Sequence, residues 1–496
     1  MNFNSLAFLI FLPAVVLLYW LLPHKFRWVL LLAASYFFYM SWNAWLIVLI
    51  MTTTVTAYVT SILISRTQKT ALRRLWLAVA LVICLGLLIF FKYINFILES
   101  AVGVIRLFDP AFDDIFLNVI LPVGISFYTF QTLSYVVDVY RGDFPAEKHF
   151  GYFALYVVYF PQLVAGPIEK PGTLLPQLRS EHKLSEDDFL AGGKWLLSGF
   201  FRKCVIADFC GMFVDKVYAD LGSANALAIF VASALFLVQI YNDFAGYSEI
   251  ALGSARLMGV KLSKNFDRPL SSTSFTQFFR RWHITLYQWF TQYVYIPLGG
   301  NRKGRARKLL NTMIVFALCG LWHGANWTFV IWGLTAGVFI CIETLIKKPC
   351  LTLLKELGID PRGEAFMLAR RCVVLLLFVF CCVPFRAQNV SEVGLAFSRM
   401  FGVWSLDAAY FDAAFESLGM SPLQLVMLIT CIAAMGIIYR LTLEKPPEGL
   451  PLGEAEARVG YSVNMSVYIY GILAVAFCWL SLLSNSDVSM FAYFQF

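Results

Sequence analysis

A histidine between two tryptophans stands inside a long apolar stretch of this sequence. His323 lies between Trp322 and Trp327, with apolar runs over residues 313–320 and 329–340. An ionisable side chain within a membrane is costly, and its presence there usually indicates a function. The sequence contains no nucleophile elbow, phosphate-binding loop or H-E-x-x-H zinc motif. The pattern therefore favours a histidine general base that takes a proton from an incoming hydroxyl as it attacks an activated acyl group.

The residues that follow His323 could assist it. Gly320 and Gly324 bracket His323 and would ease a helix break. On a continuous helix, Asn326 and Trp327 lie three and four positions further on and share the face of His323. The amide could fix the imidazole tautomer or donate to a developing oxyanion. Trp322 and Trp327 could wall the site or stack on a flat ligand. The alternative is a core histidine whose two ring nitrogens are satisfied by its neighbours.

Three further segments carry polar side chains in unusual places. His283 follows Arg281 at the start of residues 283–299, and Gln162 lies in a proline- and glycine-containing stretch. A third cluster closes a long apolar run and comprises Asp243, Tyr247 and Ser248. Asp243 and Tyr247 share a helical face. Substrate contact and a polar network that locks helices together both remain open for this cluster.

Composition predicts the fold class. The 496 residues are 59% hydrophobic and 14% charged, whereas soluble domains have roughly 45–50% apolar and about 25% charged residues. Runs of about 20 apolar residues, long enough to cross a bilayer, recur along the chain. The sequence therefore predicts an all-α polytopic membrane protein with about a dozen segments. A net charge of +8 is typical of cytoplasmic loops and does not indicate nucleic-acid binding. The eleven cysteines form no C-x-x-C pair, so neither a disulfide framework nor a metal site is expected.

Basic loops predict the orientation. Residues 24–27 and 66–74 are basic and flank two apolar segments joined by the uncharged residues 41–45. Positive charge prefers the cytoplasmic side, so both basic loops are expected there. The N-terminus is then extracytoplasmic, and residues 6–22 are expected to be a retained helix because they lack signal-peptide features.

Basic clusters also lie on both sides of residues 283–299, at 261–281 and 302–308. If both are cytoplasmic, the segment between them cannot span, and irregular backbone at membrane depth needs a cavity or protein around it. A cavity open to the cytoplasm is therefore predicted. His323 follows Lys308 by 15 residues, about 22 Å of helix, which is less than the roughly 30 Å of hydrocarbon. We expect the imidazole inside the membrane, beyond its midplane.

Six blocks in a fixed order resemble the membrane-bound O-acyltransferase superfamily, and within it the bacterial alginate O-acetylation branch. The blocks are residues 161–167, 243–248, 281–283, 293–302, 320–327 and 384–387. The resemblance implies a bowl of about 11–13 transmembrane or re-entrant helices around a central funnel, in the bacterial cytoplasmic membrane. It implies one integral membrane domain over residues 1–496, with N-terminal helices (1–110), a catalytic core (118–345) and C-terminal helices (366–496).

The resemblance also implies site residues and substrates. His323 matches the near-invariant family histidine, and His283 the second functional position. Acetyl-CoA or another acyl thioester would be the cytoplasmic donor, with no permanently bound cofactor. The acceptor side would be an exported polysaccharide or an extracytoplasmic acetyltransferase of the SGNH type. Relatives usually carry Arg-Asp where this chain has Thr291 and Gln292, and a serine at Tyr287. Tyr287 could take over the orientation of His283.

Two alternative functions remain at this point. D-alanyl transfer to teichoic acids from a carrier protein is a related reaction, although residues 297–301 are typical of the polysaccharide branch. A transporter or scaffold would use the histidines as proton relays or helix locks. Many transporters contain repeated halves, and no internal repeat is visible in this sequence.

Overall fold

The computed structural model describes residues 1–441, and these residues form helices and connecting turns without a strand. The nineteen α-helices of residues 1–441 are α1 (Leu6–Leu21), α2 (His24–Met40), α3 (Ile47–Arg66), α4 (Thr70–Leu88), α5 (Ile94–Ile105), α6 (Ile125–Arg141), α7 (Phe150–Val158), α8 (Pro171–Arg179), α9 (Glu186–Phe200), α10 (Asp208–Ala219), α11 (Ala226–Arg256), α12 (Phe275–Arg281), α13 (Ile284–Phe290), α14 (Gly304–His323), α15 (Trp327–Glu356), α16 (Glu364–Arg386), α17 (Val390–Met400), α18 (Ala408–Leu418) and α19 (Pro422–Leu441). Short 3₁₀ helices cover Ala44–Leu46 and Pro269–Ser271, and π-helical segments cover Ile89–Tyr93, Phe201–Ala207 and Thr291–Tyr295. The predicted all-α class is confirmed.

Several of these helices can cross a bilayer. In the described part of the chain, five helical stretches are long and apolar enough, namely Ala44–Arg66, Thr70–Ile105, Ala226–Arg256, Trp327–Glu356 and Glu364–Arg386. The pair α18 and α19, bent by 69°, adds a sixth if it forms one broken span. The remaining predicted segments within residues 1–441 are shorter or more polar helices, such as α1 and α14. The apolar run of residues 465–484, which the sequence predicts to be a further membrane segment, and the polar loop of residues 444–462 lie outside the described residues.

The chain divides into two compact units. The first comprises Met1–Gly192 and Ala251–Val390, and the second comprises Gly193–Ile250 and the described residues from Ser391 onward. His283 and His323 lie in the first unit, whereas the polar cluster of α11 around Asp243 lies in the second. The single domain expected for residues 1–496 stays a prediction.

Helices α14 and α15 form a closely packed antiparallel hairpin in the first unit. Gly320 and Gly333 lie where the two helices cross, because a Cβ on either glycine would overlap a carbonyl oxygen of the other helix. Helix α14 ends at His323, since Gly324 is extended with φ −158° and ψ 151°. Asn326 then caps α15 by accepting a hydrogen bond from the Thr328 amide at 3.0 Å. This geometry presents His323 at the very end of a helix.

The segment after His283 is short. Helix α13 has seven residues and the π-helical Thr291–Tyr295 has five, which together give about 18 Å of helix, well below the roughly 30 Å of a bilayer core. Gly299 and Gly300 then adopt positive φ values and turn the chain. The Asn311 side-chain amide fixes this turn by donating to the Gly300 carbonyl at 2.9 Å. The segment thus has the length expected of a non-spanning element.

Candidate functional site

His323 is held among aromatic rings at the end of α14. Its side chain is buried, with only 9% of the residue exposed. The imidazole centroid lies 4.9 Å from the Trp332 ring and 5.3 Å from the Phe385 ring, both edge to face. Trp322 packs against it in the same way at 5.1 Å. Rigid aromatic neighbours leave the imidazole little rotational freedom.

His283 lies beside the same indole. Its ring is 2% exposed, stacks on Phe127 at 6.1 Å and lies 5.6 Å from the Trp322 ring. Trp322 therefore contacts both imidazoles, although the two histidines are 40 residues apart in the sequence. The structure brings the two predicted histidines together around the tryptophan predicted to wall the site.

The backbone at His283 is unusual. Its φ of 44° and ψ of 56° are left-handed, a conformation that few residues other than glycine, asparagine and aspartate adopt. The loop at Asn265 holds it there, because the Ile284 amide donates to the Asn265 carbonyl at 2.9 Å and the Thr285 hydroxyl donates to the Asn265 side chain at 2.7 Å. The structure thus holds the His283 backbone in a strained conformation, which is a common feature of functional sites.

A cavity of about 320 Å³ connects the histidines with charged groups. His283, His323 and Tyr287 line it, and Arg280 and Lys308 line it too. Arg280 is exposed and Lys308 half-buried, whereas both histidines are buried, so the basic groups are nearer to solvent. Lys308 and His323 lie on one continuous helix, about 22 Å apart along its axis. The cavity can therefore hold an elongated molecule with an anionic end and a reactive end.

Asn326 and Trp327 are not where the sequence placed them. The prediction that they share a helical face with His323 is wrong, because the extended Gly324 ends α14. The Asn326 amide donates to the Gln388 carbonyl at 2.7 Å. The Trp327 indole is 52% exposed and donates to the Ser100 hydroxyl at 3.1 Å. Neither residue lines the cavity.

Three other candidates of the first unit also lie outside the cavity lining, namely Trp322, Gln162 and Arg281. Gln162 is buried in the turn after α7, where its amide donates to the Tyr156 carbonyl at 2.9 Å. The Arg281 guanidinium donates to the Ser271 hydroxyl at 3.1 Å, while its neighbour Arg280 lines the cavity. The contacts that the structure gives Gln162 and Arg281 hold loops in place.

The polar cluster of the second unit is buried on α11. Asp243, Tyr247 and Ser248 are each no more than 3% exposed, and the helix carries Asp243 and Tyr247 four residues apart, as the sequence predicts. The Lys203 ammonium lies 2.9 Å from the Asp243 carboxylate. Arg202 and Glu249 form a second buried ion pair at 2.9 Å. These contacts favour a network that locks the helices of this unit.

Comparisons with known proteins point to one family. The model of the membrane-bound O-acyltransferase family matches residues 146–350. The probable alginate O-acetylase of Pseudomonas putida is 34% identical over the whole of both chains.

The chain belongs to the membrane-bound O-acyltransferase family.

Other members of the family match as well. The peptidoglycan O-acetyltransferase of Helicobacter pylori is 34% identical over 81% of this chain and 80% of its own length. The teichoic acid D-alanyltransferase of Streptococcus thermophilus is 28% identical over 49% of this chain and 62% of its own. This membrane-bound O-acyltransferase is thus an enzyme of acyl transfer, and a multi-pass membrane protein.

The departures from the family pattern have local partners in this acyltransferase. Lys170 donates to the Gln292 side chain at 2.5 Å, and the Thr291 hydroxyl donates to the Tyr287 carbonyl at 2.7 Å. The Tyr287 amide donates to the His283 carbonyl at 3.0 Å. Thr291 and Gln292, the neutral residues in place of the family's Arg-Asp pair, thus both form hydrogen bonds with nearby residues. Orientation of the His283 ring by Tyr287 stays a prediction.

Sequence reasoning missed three charged residues of this site. Arg280 and Lys308 belong to the basic clusters at residues 261–281 and 302–308 that predict topology, and they also line the cavity. Lys92 was overlooked, and its ammonium group contacts the backbone at His323. A signal existed for Lys92, since it is a lone cation in the apolar stretch of residues 75–98. Among residues 1–441, no three His, Cys, Asp or Glu side chains could hold a metal ion.

Proposed function

We propose that this protein is a membrane O-acetyltransferase of the bacterial inner membrane. It takes an acetyl group from a cytoplasmic thioester donor and passes it outward for O-acetylation of an exported or cell-surface polysaccharide. The observation that carries this proposal is the cavity that joins His283 and His323 to Arg280 and Lys308. A phosphorylated thioester such as acetyl-CoA has matching ends, with phosphates for the basic groups and an acetyl thioester for the histidines.

His323 acts as the general base. It accepts the proton of the acceptor hydroxyl, whose oxygen then attacks the thioester carbonyl carbon. The carbon–sulfur bond breaks, and the thiolate takes the proton back from the imidazolium to leave as a thiol. Trp332 and Phe385, which flank the ring, would keep water away from the thioester and suppress hydrolysis. His283 is the second functional histidine and contacts the same Trp322 ring.

The orientation follows from the basic groups. Arg302, Lys303 and Arg305 are exposed and lie next to the cavity end that holds Lys308, so this end faces the cytoplasm. The donor enters there. The N-terminus is extracytoplasmic, because the basic residues 24–27 that follow α1 are expected on the cytoplasmic side. Relatives named for alginate and peptidoglycan acetylation support a glycan as the final acceptor. It would be reached directly or through an SGNH-type acetyltransferase outside the membrane.

The donor and the reaction can be tested together. Membrane vesicles containing this protein are incubated either with labelled acetyl-CoA or with a labelled D-alanyl carrier protein, and label on glycan or partner is counted. Transfer of acetyl alone supports the proposal. Transfer of D-alanine alone replaces it by teichoic acid D-alanylation, the activity named for a more distant relative. Transfer of neither, by folded protein with partner and acceptor present, favours a transporter or scaffold.

We expect the double substitution Arg280→Met and Lys308→Met to raise the KM for acetyl-CoA about tenfold, which corresponds to roughly 1.4 kcal/mol of lost binding. The kcat should stay unchanged because neither group reaches the thioester. Initial rates over a range of acetyl-CoA concentrations measure both constants. Arg307→Met is the matched control, since Arg307 is exposed on the same helix turn and does not line the cavity. An unchanged KM in the double variant contradicts the phosphate role of these residues.

We expect His283→Asn to lower kcat at least tenfold without loss of folded protein. Asparagine tolerates the left-handed backbone at this position, so the substitution removes the imidazole and little else. Acetyl transfer per mole of folded protein is the measurement. The control is Arg268→Asn, at the other left-handed non-glycine position among residues 1–441, which should retain full activity. Full activity in His283→Asn would remove His283 from the mechanism.

A further inference from the structure

Lys92 is a charged residue in the middle of an apolar span. It belongs to the helical stretch Thr70–Ile105, one of the stretches that can cross a bilayer. The π-helical segment Ile89–Tyr93 interrupts this stretch at Lys92, and such interruptions are frequent at functional sites. A lysine at this depth needs a structural or functional reason.

The ammonium group of Lys92 is directed at the backbone of the candidate active site. It has three N–H donors, and three acceptors lie within reach. These are the Trp322 carbonyl at 2.5 Å, the His323 carbonyl at 3.3 Å and the Ser126 hydroxyl at 3.2 Å. The next residue adds a fourth contact, because the Tyr93 hydroxyl donates to the Leu321 carbonyl at 2.8 Å.

These contacts lie at the C-terminal end of α14. The last carbonyl groups of a helix lack partners within the helix, and α14 stops at His323 because Gly324 is extended. Lys92 and Tyr93 provide donors for the carbonyls of residues 321, 322 and 323. A cation at a helix C-terminus also interacts favourably with the helix dipole. Two consecutive residues thus hold the terminal turn that carries both Trp322 and His323.

We propose that Lys92 is a positioning residue for His323, with Tyr93 as its assistant. The inference rests on the proposed function only in taking His323 as the base. Lys92 does not line the cavity and acts by fixing the end of α14. Because a displacement of about 1 Å at a reacting group can cost about 100-fold in rate, a loosened terminal turn lowers the chemical step more than donor binding.

The test compares Lys92→Met, which keeps length and removes the donors, with Lys92→Arg, which keeps a cation. We expect Lys92→Met to lower kcat about 10- to 100-fold with an unchanged KM for acetyl-CoA. In Lys92→Arg, at least a third of this decrease in log kcat should be recovered. Tyr93→Phe should lower kcat a fewfold. Tyr58→Phe, which removes a hydroxyl-to-carbonyl contact to Lys148, is the matched control and should be unaffected. A Lys92→Met variant with wild-type kcat, or a kcat loss of the same size in Tyr58→Phe, overturns the proposal.

Amide hydrogen exchange of residues 318–326 gives a second readout that does not depend on acyl transfer. In Lys92→Met these amides should exchange at least tenfold faster, while those of the first two turns of α14 stay unchanged. If the wild-type protein transfers no acetyl group but Lys92→Met still exchanges these amides faster, the proposed donor is refuted and the positioning role is supported. Unchanged exchange at residues 318–326 together with wild-type kcat refutes the positioning role alone.

Discussion

Replacing His323 by glutamine should lower acyl transfer by about 10²–10⁴-fold, the usual contribution of a general base. Glutamine is of similar size and can still donate and accept hydrogen bonds, but it does not take up a proton at neutral pH. The aromatic rings around His323, Trp332 and Phe385 among them, remain in place, so the fold should persist. Transfer of labelled acetyl from acetyl-CoA, divided by the amount of folded protein from size-exclusion chromatography, measures the effect.

The matched control for this result is His24→Gln. His24 begins α2 and does not line the cavity, so the same chemical change there should leave the rate within twofold. A rate in His323→Gln within tenfold of wild type, at equal amounts of folded protein, contradicts the general-base role. A lower rate that merely follows a lower amount of folded protein would make His323 a structural histidine.

Substituting Gly320 should lower the stability of the folded protein, and any loss of acyl transfer should follow from that. Replacing glycine by alanine inside a helix normally stabilises a protein by roughly 0.5–1 kcal/mol. At Gly320 the added Cβ would overlap the Phe329 carbonyl oxygen, and such overpacking costs typically 1–3 kcal/mol. The steric effect is the larger one, so Gly320→Ala should lower the melting temperature. Gly320→Val, which is larger and β-branched, should leave little folded protein.

The matched control is Gly103→Ala. Gly103 lies in α5, and a Cβ added there meets no atom within 4 Å. Its melting temperature should stay the same or rise, as helix propensity alone dictates. Thermal unfolding followed by tryptophan fluorescence or size-exclusion chromatography compares the variants. A Gly320→Ala protein with the same melting temperature as the wild type would show that α14 and α15 can separate slightly without loss of stability.

Most of the fold class could be predicted because it depends on local sequence. Apolar runs near 20 residues predict membrane helices, and α3, α11, α15 and α16 are such helices. The basic clusters around residues 283–299 predict a segment that does not span, and α13 with its π-helical extension is too short to do so. The cavity at this segment was also predicted, since irregular backbone at membrane depth must be covered.

The local geometry around His323 was predicted only in part: a helix break at Gly324 was expected and is present, whereas the helical face shared by His323, Asn326 and Trp327 was wrong. Periodicity treats residues 320–327 as one helix, whereas Gly324 is extended and Asn326 starts a new helix. The cue was present in the sequence, because Gly324 is followed two residues later by Asn326, and a glycine at a helix end with an asparagine at the next N-cap is typical of such a break. Asn326 was considered for catalysis because an amide near a histidine suggests chemistry. Its actual contacts are the Thr328 amide and the Gln388 carbonyl.

The sequence by itself determined that His323 is an ionisable residue in an apolar stretch, where burial in the membrane costs free energy. It also determined that residues 283–299 do not span the bilayer. Both conclusions depend on the free energy of transferring side chains from water to hydrocarbon, and this can be read directly from the residue types along the chain. Only the tertiary structure decided that Trp322 contacts two imidazoles and that Lys92 contacts the end of α14. Lys92 and His323 are 231 residues apart, and no local pattern encodes which distant carbonyl groups a buried ammonium will meet. That pairing follows from how the helices pack.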